Sequence, residues 1–187
     1  MRIPIVALAA LALSGCWTGG PFFQASDAVP ALPAGDYLAS YTPVLSEPPD
    51  EAAGRIEVRA DGMTTFTGAE ATPSSDPVLV MGFTSLEGAE GHFVPWIVHW
   101  DNRDLSGDRG AYGVLSRGTD GAYQLQLPGC TGPMEAQAWA AGASVSRNTD
   151  GLAICRFPDR ASLVAALRAF VAAPPPEVLT LTFRPGG

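Results

Sequence analysis

The chain contains no lysine; all 11 of its basic residues are arginine. Schiff-base chemistry and a Ser–Lys dyad both need a lysine amine, so neither is available. The phosphate loop Gly-x-x-x-x-Gly-Lys is excluded for the same reason, and no Gly-x-Gly-x-x-Gly occurs. Charge of either sign is sparse, at 16% of residues against about 25% in an average domain. It is also unbalanced, with 19 acids giving a net charge of −8. Nucleic-acid binding needs clustered Lys or Arg, which this chain does not have. Histidine is limited to His92 and His99. With no Gly-x-Ser-x-Gly and no other nucleophile–base signature, no catalytic residue is assigned and no cofactor is implied. What is abundant is apolar surface, 47% of 187 residues, too much for a disordered chain and enough for one domain with a proper core. Gly (21) and Pro (17) are too frequent for a long coiled coil. Arg, Ala, Gly and Pro rise together, which reads as the composition bias of a GC-rich genome.

The first sixteen residues carry an address. After Met1-Arg2 the chain is apolar from Ile3 to Leu13. That is too short to cross a bilayer, which takes about 20 residues, but it suits the apolar region of a signal peptide. The run ends Leu13-Ser14-Gly15-Cys16. These four residues resemble the lipobox of bacterial lipoproteins: an apolar residue, two small ones and a cysteine. The resemblance implies cleavage before Cys16, acylation of Cys16 (palmitate among the chains) and attachment to a membrane. It also implies a bacterial cell-envelope location. Trp17, not Asp, follows the cysteine, which in this class favours the outer membrane, with the domain in the periplasm. The expected organisation is a signal peptide over 1–15, a lipidated Pro/Gly-rich tether over 16–35 and one β-rich domain over 36–187.

Three cysteines, less one for the anchor, leave Cys130 and Cys155. In an oxidising compartment this pair reads as a disulfide. There is no nearby His for a zinc site and no Cys-x-x-Cys for redox work.

Alternation and turn chemistry predict an α+β fold. Mainly antiparallel hairpins should form a curved sheet or partly closed barrel, with one amphipathic helix near the C-terminus. Ile56 and Val58 alternate with charged residues, and Tyr123, Leu125 and Leu127 alternate with Gln124 and Gln126. Asp61-Gly62, Asp120-Gly121 and Asp150-Gly151 mark three hairpins, and the two-residue reading of Asp-Gly requires φ > 0 at both positions. A short helix is predicted from Gly132 to Gly142. A longer one follows the N-cap Asp159, with Leu163, Val164, Leu167, Phe170 and Val171 on one face. Pro174-Pro175-Pro176 ends it. In the last strand Leu179, Leu181 and Phe183 face the core.

Three groups of residues are candidates for binding. Trp96 and Trp100 are four apart, hence on one face of an unbroken strand, where they form either an aromatic wall for a ligand or part of the core. His99 shares a face with Asp101, and Ser106 is near in sequence; it is either a ligand-binding residue or a histidine that caps a strand end. Asn102, Asp104 and Ser106, before Gly107, fit the first half of a calcium loop, but Gly113 stands where that loop needs Glu; the alternative is a polar hairpin loop.

The functional expectation is a membrane-anchored envelope lipoprotein with a non-catalytic binding or assembly domain. Its partners are the membrane, through the N-terminal lipid, and another envelope protein. Two alternatives stand beside it. Gly35-Asp36-Tyr37 opening a meander, with a helix and final strand at the end, resembles the lipocalin-like arrangement, although that family has Trp where this chain has Tyr37. The resemblance implies carriage of a small apolar ligand. The other alternative is an inhibitor of a periplasmic hydrolase.

Overall fold

The alternating segments pair into a closed barrel, as a computed structural model of the chain shows. It describes residues 17–42, 54–68, 79–100, 103–104, 110–147, 151–175 and 178–186. The strands in chain order are β1 (Trp17–Gly19), β2 (Gly35–Thr42), β3 (Gly54–Val58), β4 (Thr64–Gly68), β5 (Leu79–Ser85), β6 (His92–Trp100), β7 (Arg103–Asp104), β8 (Gly110–Ala111), β9 (Val114–Arg117), β10 (Tyr123–Leu127), β11 (Ser144–Arg147), β12 (Ala153–Arg156) and β13 (Leu179–Pro185). The helices are α1 (Gly132–Ala140) and α2 (Arg160–Ala172). The fold is α+β, with α2 near the C-terminus.

Eight strands run antiparallel in the order β5-β4-β3-β2-β13-β10-β9-β6, and β6 pairs back onto β5 to close the ring. Closure removes the exposed strand edges that a curved open sheet would leave. Eight strands enclose a space that side chains can fill or that holds one small ligand. The two-residue period sets what points inward. Tyr37, Ala39, Ile56, Val58, Phe66, Met81, Phe83, Leu115, Leu125 and Phe183 form one buried cluster inside. Arg55, Glu57, Thr65 and Thr67 lie on the other face of their strands, exposed or half-buried. That polarity is the reverse of a membrane-spanning barrel, whose outer face is apolar. No described helix is long and apolar enough to cross a membrane.

A second cluster lies against the outer face of β6 and β9. Val94, Trp96 and Val114 there meet Leu163, Leu167 and Phe170 of α2, Met134 and Ala138 of α1, and a small mixed sheet. This sheet has the order β11-β12-β1-β8. Gly82 makes room for the join: a Cβ there would lie 2.3 Å from the Trp96 ring.

The helices follow their local signals. In α1, Pro133 occupies the first turn, where its missing N–H costs nothing. At the other end Gly142 takes φ 91°, its N–H reaches Trp139 O, and Ala143 N reaches Ala138 O. This is the paired bonding that satisfies the last carbonyls of a helix. In α2 the Asp159 carboxylate accepts from Ser162 N at 2.8 Å. Of the predicted stripe, Leu163, Val164, Leu167 and Phe170 are buried and Val171 is partly buried.

Two expectations need correction. The Asp61-Gly62 and Asp120-Gly121 hairpins do not use a two-residue loop. Gly62 N bonds Arg59 O, and Arg59 N bonds Met63 O; Gly121 N bonds Gly118 O, and Gly118 N bonds Ala122 O. Each is a three-residue loop in which glycine takes the positive φ, 82° at both Gly62 and Gly121. The Asp side chain folds back instead, Asp61 accepting from Met63 N and Asp120 from Ala122 N. Asp150 lies outside the described residues.

The larger correction concerns the expected tether, 16–35. Trp17–Gly19 is a strand of the small sheet, parallel to β12 and antiparallel to β8. Trp17 is fully buried, edge-on to Phe157 at 5.4 Å and Phe170 at 6.1 Å. Phe23, Ala31 and Leu32 are buried as well. Pro and Gly signal a linker only where nothing covers the apolar residues among them. Here the strand finds partners more than ninety residues away, which no local pattern reports.

Candidate functional site

The barrel has two unlike ends. The register places Gly35, Val58, Ser85, Arg117 and Pro185 at one of them. Segment 28–34 lies across this end. Val29 N donates to Phe83 O at 2.8 Å, the Tyr37 hydroxyl donates to Pro33 O at 2.9 Å, and Ala31 and Leu32 join the interior cluster. Burial pushes the Tyr37 phenol above its ordinary pKa, with Tyr123 adding to the shift and Arg117 opposing it, so Tyr37 remains a neutral donor. The 3-10 turn Ala25–Asp27 just before this cover is held by Arg160, which pairs with Asp27 at 3.4 Å and stacks over Phe23 at 4.7 Å.

The other end carries Thr42, Gly68, Leu79, Leu127 and Leu179. The connections β2–β3, β4–β5 and β6–β7 leave from here. Leu79 on one wall, and Leu127 and Leu181 on the facing wall, point inward yet stay only partly buried against the interior cluster. At the covered end Phe93 and Tyr123 are also partly exposed, Tyr123 beneath the Arg117 guanidinium at 5.9 Å. Inside, Thr64 is fully buried, opposite Met81 and Val58, and its hydroxyl has no hydrogen-bond partner. An unpaired buried hydroxyl costs about 1–3 kcal/mol, so its retention is an observation to be explained.

Strand β1 meets the barrel at this second end. Trp17 N donates to Pro128 O at 3.4 Å, and Pro128 directly follows the rim residue Leu127. Two residues on, Cys130 is bonded to Cys155, with Cα atoms 5.3 Å apart, and Cys155 is the β12 partner of Trp17. The predicted disulfide therefore ties the end of β10 to the strand beside β1. Tyr112 fixes the next residues: its hydroxyl donates to Gly20 O and accepts from Phe22 N, and its ring stacks on Phe22. Burial raises the Tyr112 pKa, and the Phe22 N–H works against that shift.

The other predicted site residues fall as follows. Trp96 is buried between β6 and the helices, its indole N–H without a partner. The assumption that Trp96 and Trp100 share a face needs an unbroken strand. The β5–β6 ladder instead pairs Gly82 with Trp96 and Met81 with Ile97, then Val80 with His99 and Leu79 with Trp100. Val98 is an extra residue in a bulge, so the two-residue period does not run from Trp96 to Trp100. The side chains of His99, Trp100 and Asp104 lie outside the described residues, as do Cys16, Asn102 and Ser106. His92, at the covered end, has Nδ1 3.0 Å from Glu90 O. Among the described residues no cluster of three metal-ligating side chains occurs. Sequence reasoning missed Leu79 and Thr64 as features of the barrel interior. The alternation of Met63–Thr67 pointed to a strand, but not to which of its threonines turn inward.

Comparison with known protein families found none that matches the chain, and comparison with curated proteins found no match either. The protein is thus placed by its architecture alone, an eight-stranded antiparallel barrel domain.

Proposed function

We propose that the protein is a bacterial envelope lipoprotein, anchored through Cys16, whose barrel carries a small apolar molecule. The observation that carries this reading is a closed barrel with an apolar interior, against which Leu79, Leu127 and Leu181 are only partly buried. Binding sites of this kind are mostly apolar with a few placed polar groups. The unpaired Thr64 hydroxyl supplies such a group in the interior. The lipobox supports the anchor, and the polar outer face of the barrel suits a domain in the aqueous periplasm.

Titration of the Cys16→Ser protein with a fluorescent fatty acid tests the carrier reading. The expected result is saturable binding with about one site, weakened by Leu127→Arg at the rim. Non-saturating fluorescence, or binding that is indifferent to Leu127→Arg, sinks it. Fractionation tests the anchor: wild type should sediment with membranes and Cys16→Ser should not.

One observation favours a second reading, docking of another envelope protein. Trp139 on α1 is 67% exposed, and large aromatics are enriched at protein interfaces.

A further inference from the structure

The two helices share an outward face that is apolar between charged margins. They lie side by side: the Gln137 amide donates to Ala173 O at 3.4 Å, and a Cβ on Gly142 would lie 3.8 Å from Ser162 Oγ. Ser162, Ala169 and Ala173 therefore line the flank of α2 that meets α1. Leu163, Leu167 and Phe170 are turned to the core, so Ala165, Ala169 and Ala172 fall on the outward side, and all three are exposed. On α1, Met134 and Ala138 are buried, which turns Ala136, Ala140 and Trp139 outward; Trp139 is 67% exposed. At the α2 margin stands Arg168, and at the α1 margin the Glu135–Arg147 ion pair at 3.8 Å. We infer that this face binds the same face of a second copy of the chain about a two-fold axis.

The inference rests on the docking reading of Trp139 and names the occupant. A two-fold interface needs knob and socket on one patch. An axis through the groove between Ala140 and Ala169 lays Trp139 of one copy over Ala165 and Ala172 of the other, a large ring on small side chains. The same rotation exchanges the margins and brings Arg168 against the partner's Glu135, so opposite charges meet at the rim. A chain of net charge −8 meets its like most readily where acids are few, and between the two margins the described outward residues carry no charge. The size fits a weak dimer. α2 has 13 residues, about 20 Å in length, and two packed helices are about 20 Å wide. A footprint of about 400 Å² per copy lies at the small end of specific interfaces, which corresponds to micromolar affinity.

Sedimentation equilibrium of the Cys16→Ser protein, from about 1 to about 200 µM, tests this. A reversible dimer with a Kd of about 10 µM is expected. Trp139→Ala and Ala165→Arg should each weaken it about tenfold or more, with the urea unfolding transition at about 1 µM unchanged. Arg168→Glu and Glu135→Arg should each associate more weakly than the parent, and mixing these two variants should restore association, because each margin then meets its opposite. Ala169→Cys, beside the axis, should give a disulfide-linked dimer on mild oxidation, and Asp61→Cys, in a barrel turn, should not. A monomer throughout the range, a dimer indifferent to both Trp139→Ala and Ala165→Arg, or no recovery on mixing overturns the inference. A monomer whose position 139, carrying a photo-cross-linker, joins a different envelope protein in cells keeps the docking surface and removes the second copy as its occupant.

Discussion

Replacing Trp17 by alanine should cost the domain about 3 kcal/mol. Its side chain is wholly buried, against Phe157 and Phe170. A buried tryptophan removes about 150–250 Å² from water, which at about 25 cal/mol per Å² is roughly 4–6 kcal/mol. Against this, its indole N–H has no partner, and losing an unpaired buried donor returns about 1–3 kcal/mol. The net value sits at the low end of measured Trp→Ala costs in cores, about 3–5 kcal/mol. Urea unfolding of the Cys16→Ser protein measures it, and Trp139→Ala is the control. Trp139 is 67% exposed, so its truncation should change stability by no more than about 0.5 kcal/mol. For a domain of this size the Trp17 effect corresponds to a fall in Tm of about 6–12 °C. If residues 17–35 were a tether, the two tryptophans would give the same small change. That result would refute the packing of β1.

Three further outcomes are expected. Removing the disulfide by replacing Cys130 and Cys155 together should destabilise by about 3.5 kcal/mol on the chain-entropy relation, given a sequence separation of 25; unfolding of wild type with and without reductant checks this. Gly82→Ala should destabilise by about 1–3 kcal/mol, because the new methyl lies 2.3 Å from the Trp96 ring, and near-ultraviolet circular dichroism should report the displaced indole. The Asp159 carboxylate, held below its ordinary pKa chiefly by the Ser162 N–H, supports α2 when ionised. That support is complete above the unfolded-state value of about 3.9 and fades as the pH falls through the lower folded value. Asp159→Asn keeps a capping oxygen and should flatten this part of the acid limb in a pH series of unfolding curves.

Much of this was written locally. Hairpin turns need Gly at φ > 0, helix ends need Asp159 or Gly142, and half-buried strands must alternate. Each requirement marks a few adjacent residues, which is why β3, β10, β13 and both helices lie close to where their patterns put them. The disulfide followed from counting, since two cysteines remain once Cys16 is set aside. Less of the site was legible. Strand alternation gives two faces but does not say which strand lies beside which. The opposition of Leu79 to Leu181 appears only when β6 closes on β5. The bulge at Val98 left no mark in the sequence, and it breaks the spacing argument that joined Trp96 to Trp100.

By itself, then, the sequence determined the elements, the disulfide pair and the chemistry that is absent, because these depend on residue type and on spacing within a few positions. Only the tertiary structure decided that the barrel closes, that one end is covered by 28–34, and that Trp17 belongs to the core. Those facts depend on contacts between residues far apart in the chain, where the gain from burying Trp17 against Phe157 and Phe170 outweighs the local preference of a Pro/Gly-rich segment to stay extended in water.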